Sequence, residues 1–254
     1  MFELDSVSFC LDEKVLLHPI SLQFSTSKIY GIIGQNGSGK STLIKLLARQ
    51  HSASNGKLSF ANKPIHQWKN KEFARQVAYL PQHLPQAHNL TVTALLKMGR
   101  YAWHGLLGSN PKQDQQVITE ALARTNMTRY ADQFVDTLSG GERSRVWLAM
   151  LLAQQSQFLL LDEPLAALDI AHQVEVMQLI KQLVQQLNLG VIIVIHDINL
   201  AARFCDHIVA LQSGKLLMQG TPQQIMTPES LAKIYHIDLQ VQSHPVDQTP
   251  IAFF

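Results

Sequence analysis

The sequence contains few charged residues, few cysteines and no long apolar run. Asp, Glu, Lys and Arg make up 16% of its 254 residues, whereas soluble domains average roughly 25%, so we expect a partner to cover part of the surface. The formal net charge is +2, and without a Lys/Arg-rich stretch nucleic-acid binding is not expected, because phosphates must be neutralised. The cysteines, Cys10 and Cys205, are too few for a metal cluster, and we expect both to be buried thiols.

No segment has the pattern of a membrane-spanning helix or of a secretion signal. The longest apolar run, residues 146–153, has eight residues, and others such as residues 191–195 have five, whereas a spanning helix needs roughly 18 or more. The start, Met1–Asp5, carries two acidic residues and no basic region before an apolar stretch, so it does not resemble a signal peptide. We therefore expect this chain by itself to be soluble and intracellular.

Short apolar runs that end in polar or glycine-rich turns predict a mostly parallel sheet flanked by helices. These runs are residues 28–33, 157–161 and 190–195. The first thirty residues alternate apolar and polar positions, which predicts an antiparallel β subdomain. Residues from about 83 to 155 show helical patterns and no strong strand, so we interpret them as an inserted helical lobe. Residues 170–187 have the apolar spacing of a core helix, with Ile170 on its apolar face.

A phosphate-binding loop follows the first of these strands. Gly34, Gly39, Lys40 and Ser41 have P-loop spacing between an apolar strand and an apolar helix, which makes the α/β core a P-loop NTPase core. Backbone N–H groups would surround a phosphate, Lys40 would reach the β and γ oxygens, and the Ser41 hydroxyl would bind Mg²⁺. The expected phosphate-binding residues are Gly34, Gln35, Asn36, Gly37, Ser38, Gly39, Lys40, Ser41 and Thr42.

Polar residues follow three other predicted strands. Asp162 and Glu163 come directly after residues 158–161, Gln82 after 77–81, and His196 after 191–195. Ligands of such sheets bind beyond the carboxyl ends of the strands. We expect Asp162 to hold Mg²⁺ and Glu163 to polarise the attacking water. Gln82 and His196, each considered alone, fit an ordinary structural role better.

A second motif, Leu138–Glu142, precedes the helical run 143–154. Ser139 and Glu142 have the spacing of a capping box. Gly140 and Gly141 would each weaken the first helical turn by roughly 1 kcal/mol relative to Ala, but they leave backbone N–H groups accessible to an anion. The motif is therefore either a plain helix cap or a second phosphate-binding surface.

These motifs, in this order, resemble those of the ATP-binding subunits of ABC transporters. The resemblance runs from about Phe2 to Pro222 and rests on residues 34–42, Gln82, 138–142, 159–164, 167–169 and 196–197. It implies Mg²⁺-dependent ATP hydrolysis in a head-to-tail homodimer, which ATP closes and hydrolysis reopens.

The resemblance also implies a role for each motif residue. Ser139, Gly140 and Gly141 would contact the γ-phosphate bound to the partner, and Asp169 would communicate across the dimer. Gln82 would contact Mg²⁺, the attacking water and, through the lobe, the membrane subunits. His196 would hold the γ-phosphate. The implied domains are an ATPase cassette, residues 1–222, with its helical lobe at about 83–155, and a C-terminal tail, residues 223–254, packed on it.

The sequence departs from the family pattern in three places. Glu142 occupies the place of the usual Gln, and Leu165-Ala166 replaces Thr-Ser. Leu11 lies near the place of the aromatic residue that often stacks on adenine. None of these departures removes a phosphate or metal contact.

A closer resemblance is to the ATPases of bacterial ferric hydroxamate (ferrichrome-type) siderophore importers. It rests on residues 16–20, 77–82, 99–105, 139–143, 168–173 and 196–202. It implies integral membrane permease subunits, a periplasmic substrate-binding protein and a peripheral location on the cytoplasmic face of the inner membrane. The aromatic segment 101–107 would face the permease. Alternatives are an importer of haem, cobalamin or another chelate, and a soluble ABC ATPase without a permease.

Overall fold

A computed structural model describes residues 1–104 and 110–254. Residues 105–107 of the aromatic segment lie outside the described residues. The strands are β1 (Phe2–Leu11), β2 (Lys14–Phe24), β3 (Lys28–Ile33), β4 (Asn55–Phe60), β5 (Lys63–Pro64), β6 (Val77–Leu80), β7 (Phe158–Leu161), β8 (Gly190–Val194), β9 (His207–Gln212), β10 (Lys215–Gly220), β11 (Gln240–Ser243) and β12 (Pro250–Phe253). The helices are α1 (Lys40–Leu47), α2 (Asn70–Ala74), α3 (Val92–Gly99), α4 (Pro111–Arg124), α5 (Gly140–Ala153), α6 (Ile170–Leu187), α7 (Ile198–Phe204), α8 (Pro222–Ile225) and α9 (Pro228–Tyr235).

The main sheet has the strand order β10-β9-β3-β8-β7-β6. Its strands are parallel except β10, which returns antiparallel to β9. A second, antiparallel sheet has the order β2-β1-β4-β5. The predicted fold class, an α/β P-loop core with an antiparallel N-terminal subdomain and a helical lobe, is confirmed.

The central strands are buried on both faces because the main sheet lies between two apolar layers. Along β7, Leu159 and Leu161 pack into the cluster formed with α5 and α6, whereas Phe158 and Leu160 pack toward the N-terminal sheet. Continuous apolar strands of this kind are typical of sheets covered on both sides. The carboxyl ends of β6, β7 and β8 meet at one edge, where the polar residues of the predicted site follow.

The tail has two short helices and a hairpin. Both helices begin at a proline, Pro222 and Pro228. Proline suits this position because it has no backbone N–H, and the N–H of a first helical residue has no partner within the helix. Strands β11 and β12 then pair antiparallel and pack against α7, where the Asn199 side chain exchanges two hydrogen bonds with the Ala252 backbone (3.0 and 2.8 Å).

Two burial expectations are wrong. Cys10 is exposed, because it pairs with Val15 next to the turn of the β1–β2 hairpin, outside the core. Ile170 is 80% exposed, because it occupies the first turn of α6, whose buried residues begin at Val176. Cys205 is buried as expected, and burial raises the pKa of its thiol. No helix within the described residues is long and apolar enough to cross a membrane.

Candidate nucleotide site

The loop between β3 and α1 has a backbone path that requires glycine. Gly34 has φ 140°, and a Cβ there would lie 2.1 Å from the Leu211 carbonyl oxygen. Gly39, the N-cap of α1, has φ 100° in the left-handed region, which side chains with a Cβ rarely adopt. Within the loop Gln35, Asn36 and Gly37 are exposed, and Thr42 follows in the first turn of α1.

The ammonium of Lys40 lies inside this loop. Its Nζ donates to the carbonyl oxygens of Gly34 (2.9 Å) and Gln35 (3.0 Å). Burial lowers its pKa, although the carboxylates of Glu163 and Asp162 act in the opposite direction. The Ser38 hydroxyl is also buried and has no hydrogen-bond partner among the described residues. Buried polar groups of this kind are normally satisfied by a ligand or water, so the loop is suited to an anion.

Ser41 and Asp162 meet at the start of α1. The Ser41 hydroxyl donates to Asp162 Oδ1 at 3.1 Å. Asp162 is 1% exposed, and its Oδ2 has no partner among the described residues. Burial raises the pKa of Asp162, and burial together with this carboxylate raises the pKa of Tyr79 to about 12. Tyr79 is a further residue of this site that no sequence motif indicates. It lies on strand β6, three residues before Gln82, and its side chain faces the Asp162 carboxylate.

This pair fits a magnesium ion. Hydroxyl and carboxylate oxygens are the ligands that Mg²⁺ prefers, usually one or two from the protein with phosphates and water completing the octahedron. The unpartnered, buried Oδ2 of Asp162 is the observation that favours a cation. Among residues 1–104 and 110–254, no group of three or more His, Cys, Asp or Glu side chains forms a metal cluster, so an all-protein cage is not present there.

Two strand-end residues converge on the carboxylate of a third. Glu163 Oε2 accepts from Gln82 Nε2 at 2.7 Å, and Glu163 Oε1 lies 2.9 Å from His196 Nε2. Glu163 also has φ 52°, and non-glycine residues held in the left-handed region cluster at functional sites. Glu163 and His196 open into a surface cavity of about 450 Å³ that Ile170 also lines.

The second motif forms the capping box that its spacing predicts. Ser139 is the N-cap of α5, and Glu142 Oε2 accepts from the Ser139 backbone N–H (2.9 Å) and hydroxyl (2.7 Å). A Cβ on Gly140 would have room, 3.7 Å from Leu168, whereas one on Gly141 would lie 2.3 Å from the His172 ring.

Asp169 lies against this motif as the N-cap of α6. Its carboxylate accepts from the His172 backbone N–H (2.9 Å) and lies 2.8 Å from His172 Nδ1. The predicted residues thus form two groups: the P-loop with Asp162, Glu163, Gln82 and His196, and the Ser139–Gly141 turn with Asp169. Within the described parts of the chain, no hydrogen bond or ion pair joins the two groups. Leu11, which we expect near the adenine, is 53% exposed.

Comparison with known proteins identifies the family. Residues 17–166 match the family described as ABC transporter. The chain belongs to this family. This ABC ATPase is 37% identical over 239 residues to the iron(3+)-hydroxamate import ATP-binding protein FhuC of Bacillus subtilis (strain 168), covering 94% of this chain and 89% of that protein. It is 37% identical over 232 residues to the ferric enterobactin transport ATP-binding protein FepC of Escherichia coli (strain K12), covering 91% and 86%.

A solved structure shares the fold of this ABC ATPase. The dimeric structure of MJ0796, a bacterial ABC transporter cassette, superposes with a TM-score of 0.75 at 25% identity, covering 87% of this chain and 98% of that one. ABC transporter ATP-binding proteins hydrolyse ATP, and this chain is an ATPase of that type.

Proposed function

We propose that this ABC ATPase energises the import of iron chelates, specifically iron(III)-hydroxamate siderophores. The observation that carries the hydrolytic part is the Glu163 carboxylate, held between Gln82 (2.7 Å) and His196 (2.9 Å) beside the P-loop. The cargo rests on similarity to relatives named for ferric hydroxamate and ferric enterobactin transport.

Residues of one protomer bind the triphosphate and position the water. Backbone N–H groups of residues 34–42 and the Lys40 ammonium hold the phosphates. Ser41, Gln82 and Asp162 hold Mg²⁺, which neutralises phosphate charge when bound. Glu163 accepts the proton of the attacking water, and Gln82 and His196 fix the orientation of its carboxylate. With ATP bound, His196 donates to the γ-phosphate in place of Glu163, because a neutral imidazole has a single N–H donor.

The other half of each site comes from a second copy of the chain. Ser139, Gly140 and Gly141 bind the γ-phosphate of ATP held by the partner's P-loop, and Asp169 transmits the state of one site to the other. The dimeric MJ0796 cassette supports this arrangement. ATP closes the head-to-tail homodimer because the γ-phosphate is a ligand of both chains, and hydrolysis removes that link.

The homodimer acts with integral membrane permease subunits on the cytoplasmic face of the inner membrane, where a periplasmic substrate-binding protein supplies the cargo. Residues 1–222 are the cassette, the lobe at about 83–155 contacts the permease, and residues 223–254 are a tail packed on the cassette. The relatives' names, which describe import or transport ATP-binding proteins, support this assembly.

Glu163→Gln tests the proposal. We expect the variant to bind ATP, to lose about 10²- to 10⁴-fold in kcat, the usual contribution of a general base, and to accumulate as an ATP-bound dimer in size-exclusion chromatography. In a strain lacking this chain, it should not restore uptake of ferric hydroxamates.

The matched control is Glu229→Gln, the same change at an exposed residue of α9. It should hydrolyse ATP and restore uptake like the unmodified protein. Near-normal hydrolysis by Glu163→Gln would refute the role of Glu163. If the unmodified chain restores uptake of haem or cobalamin but not of hydroxamates, the cargo assignment is wrong.

A further inference from the structure

Glu142 places a carboxylate in the first turn of α5, beside the turn proposed to bind a phosphate. It follows Gly140 and Gly141 directly, and its Oε2 lies 2.7 Å from the Ser139 hydroxyl oxygen. If Ser139 contacts the γ-phosphate as proposed, this carboxylate lies within a few ångströms of that anion and repels it, because like charges so close interact strongly where water is excluded. A glutamine there would lack this charge.

Both carboxylate oxygens of Glu142 are occupied. Oε1 accepts from the Tyr130 hydroxyl, and Oε2 accepts from the Ser139 backbone N–H and hydroxyl. These hydrogen bonds, that from Tyr130 first, lower the pKa of Glu142 to about 2. The side chain is therefore an anion at neutral pH.

Arg129 extends this arrangement to the surface of the lobe. Its Nη2 donates to the Tyr130 hydroxyl oxygen at 2.6 Å, and its guanidinium lies 4.7 Å from the centre of the Tyr130 ring. Donation from a cation makes the tyrosine hydroxyl a better donor to Glu142, because hydrogen bonds in a chain polarise one another. Arg129, Tyr130, Glu142 and Ser139 thus form one continuous hydrogen-bonded chain.

The Ser139 hydroxyl has a single proton, and in this chain it is donated to Glu142. A hydroxyl can donate only one hydrogen bond. To donate to a γ-phosphate, Ser139 must rotate its proton away from the carboxylate and break a charge-assisted bond, which is stronger than a neutral one. Glu142 and the γ-phosphate therefore compete for the same donor.

We propose that Glu142 is a brake on ATP-driven dimer closure, and that Tyr130 and Arg129 are positioning residues that limit it. Glu142 competes for the Ser139 hydroxyl and repels the γ-phosphate. Tyr130 holds Oε1, the carboxylate oxygen that does not contact Ser139, and disperses the charge of the carboxylate. The inference rests on the proposed function of Ser139 as a γ-phosphate ligand, and it sets how much ATP is needed to close the dimer.

The test is carried out in full-length Glu163→Gln protein, so that closed dimers persist. ATP with Mg²⁺ is titrated, and the dimer fraction is measured by analytical ultracentrifugation. Adding Glu142→Gln should lower the ATP concentration for half-maximal dimerisation at least fivefold. Adding Tyr130→Phe should raise this ATP concentration at least threefold. When Glu142→Gln is also present, Tyr130→Phe should change it by less than a factor of two, because residue 142 then has no charge for Tyr130 to disperse.

The matched control is Glu120→Gln, which removes an exposed carboxylate of the same lobe that bonds Arg124 at 2.6 Å. It should leave the titration unchanged. The effect of Glu142→Gln should shrink as NaCl is raised, since salt screens charge repulsion, whereas a change in packing would persist.

Each outcome has a distinct meaning. If Glu163→Gln itself does not dimerise at any ATP concentration, the proposed function fails. If it dimerises but Glu142→Gln stays within twofold of Glu120→Gln, the brake is refuted. If Glu142→Gln does not fold, the titration of Tyr130→Phe in the Glu163→Gln protein is the deciding measurement. An ATP concentration for half-maximal dimerisation that Tyr130→Phe does not change would then overturn the inference.

Discussion

At the scale of single residues, Gly140 and Gly141 are neighbours with different reasons to be glycine. A methyl group on Gly140 would meet the Leu168 side chain at 3.7 Å, an ordinary contact. On Gly141 it would lie 2.3 Å from the His172 ring, whose Nδ1 is bonded to Asp169. Packing within the protomer therefore does not require glycine at position 140, so the proposed phosphate contact is the reason for it. At position 141, packing against His172 requires glycine.

Alanine substitutions should separate these roles. Gly140→Ala should keep or raise the urea midpoint, because alanine favours the first helical turn by up to about 1 kcal/mol relative to glycine. It should reduce ATPase activity about tenfold or more, because a methyl group obstructs backbone donors, and losing an oxyanion donor costs at least that much. Gly141→Ala should lower the free energy of unfolding by about 1–3 kcal/mol, the usual effect of overpacking. Equal stability losses in the two variants would contradict the assignment, and full ATPase activity in Gly140→Ala would exclude it from the phosphate site.

At the scale of elements, helix α7 connects the site to the tail. The helix begins two residues after His196, and Asp197 caps it by accepting from the backbone N–H groups of Asn199 (2.8 Å) and Leu200 (3.0 Å). The Asn199 amide in turn bonds both backbone polar groups of Ala252 in β12. Gln35 of the P-loop donates to the Tyr235 carbonyl oxygen (2.8 Å) at the end of α9. The tail therefore supports both sides of the nucleotide site.

Asn199→Ala tests this support. Losing two hydrogen bonds of about 1 kcal/mol each should lower the free energy of unfolding by about 2 kcal/mol in urea denaturation. Because His196 then orients Glu163 less well, kcat should fall several-fold with little change in KM for ATP. Asn199→Asp keeps the acceptor for the Ala252 N–H. Its free energy of unfolding and its kcat should therefore lie between those of the unmodified protein and those of Asn199→Ala. An unchanged kcat in Asn199→Ala would show that the tail does not act through α7.

Elements whose signal is local were predictable, and contacts between distant elements were not. The P-loop and the strands before Asp162 and His196 follow from short apolar runs and glycine spacing. The β11–β12 hairpin was missed because its strands are short, partly polar and flanked by prolines. The Tyr130–Glu142 and Gly141–His172 contacts depend on how helices pack, and no sequence spacing encodes them. Ile170 shows the reverse error, since helical periodicity does not reveal which turn extends beyond the core.

At the scale of the whole molecule, a buried arginine joins the helices of the helical lobe to one another. Arg100 is 1% exposed, and it donates to Asp114 Oδ1 (2.8 Å) in α4 and to the Ala153 carbonyl oxygen (2.9 Å) at the end of α5. Its guanidinium lies 5.2 Å from the Trp103 ring, and Arg75, just after α2, lies 4.9 Å from the same ring. The cluster thus holds three helices and the segment before residue 105 together.

Arg100→Leu should destabilise the protein strongly, because it leaves the mostly buried Asp114 without its main partner. Breaking such a pair costs about 3–5 kcal/mol, measurable by urea denaturation at pH 7. Burial alone would raise the pKa of Asp114, but hydrogen bonds from Arg100 and His104 hold it below the ordinary 3.8. The stabilising contribution of this carboxylate is therefore fully present above pH 3.8 and is lost as the pH falls further.

The pH dependence of the variant separates charge from packing. Removing Arg100 should raise the pKa of Asp114 relative to the intact protein, because burial is then opposed only by the hydrogen bond from His104. The carboxyl should therefore take up a proton more readily, and the cost of Arg100→Leu should be smaller at pH 5 than at pH 7. Arg100→Leu with Asp114→Leu removes the unpaired charge and should recover most of the loss, as apolar replacements of buried ion pairs often do. If the double variant is as unstable as the single one at both pH values, the cluster stabilises the lobe through side-chain packing and not through its charges.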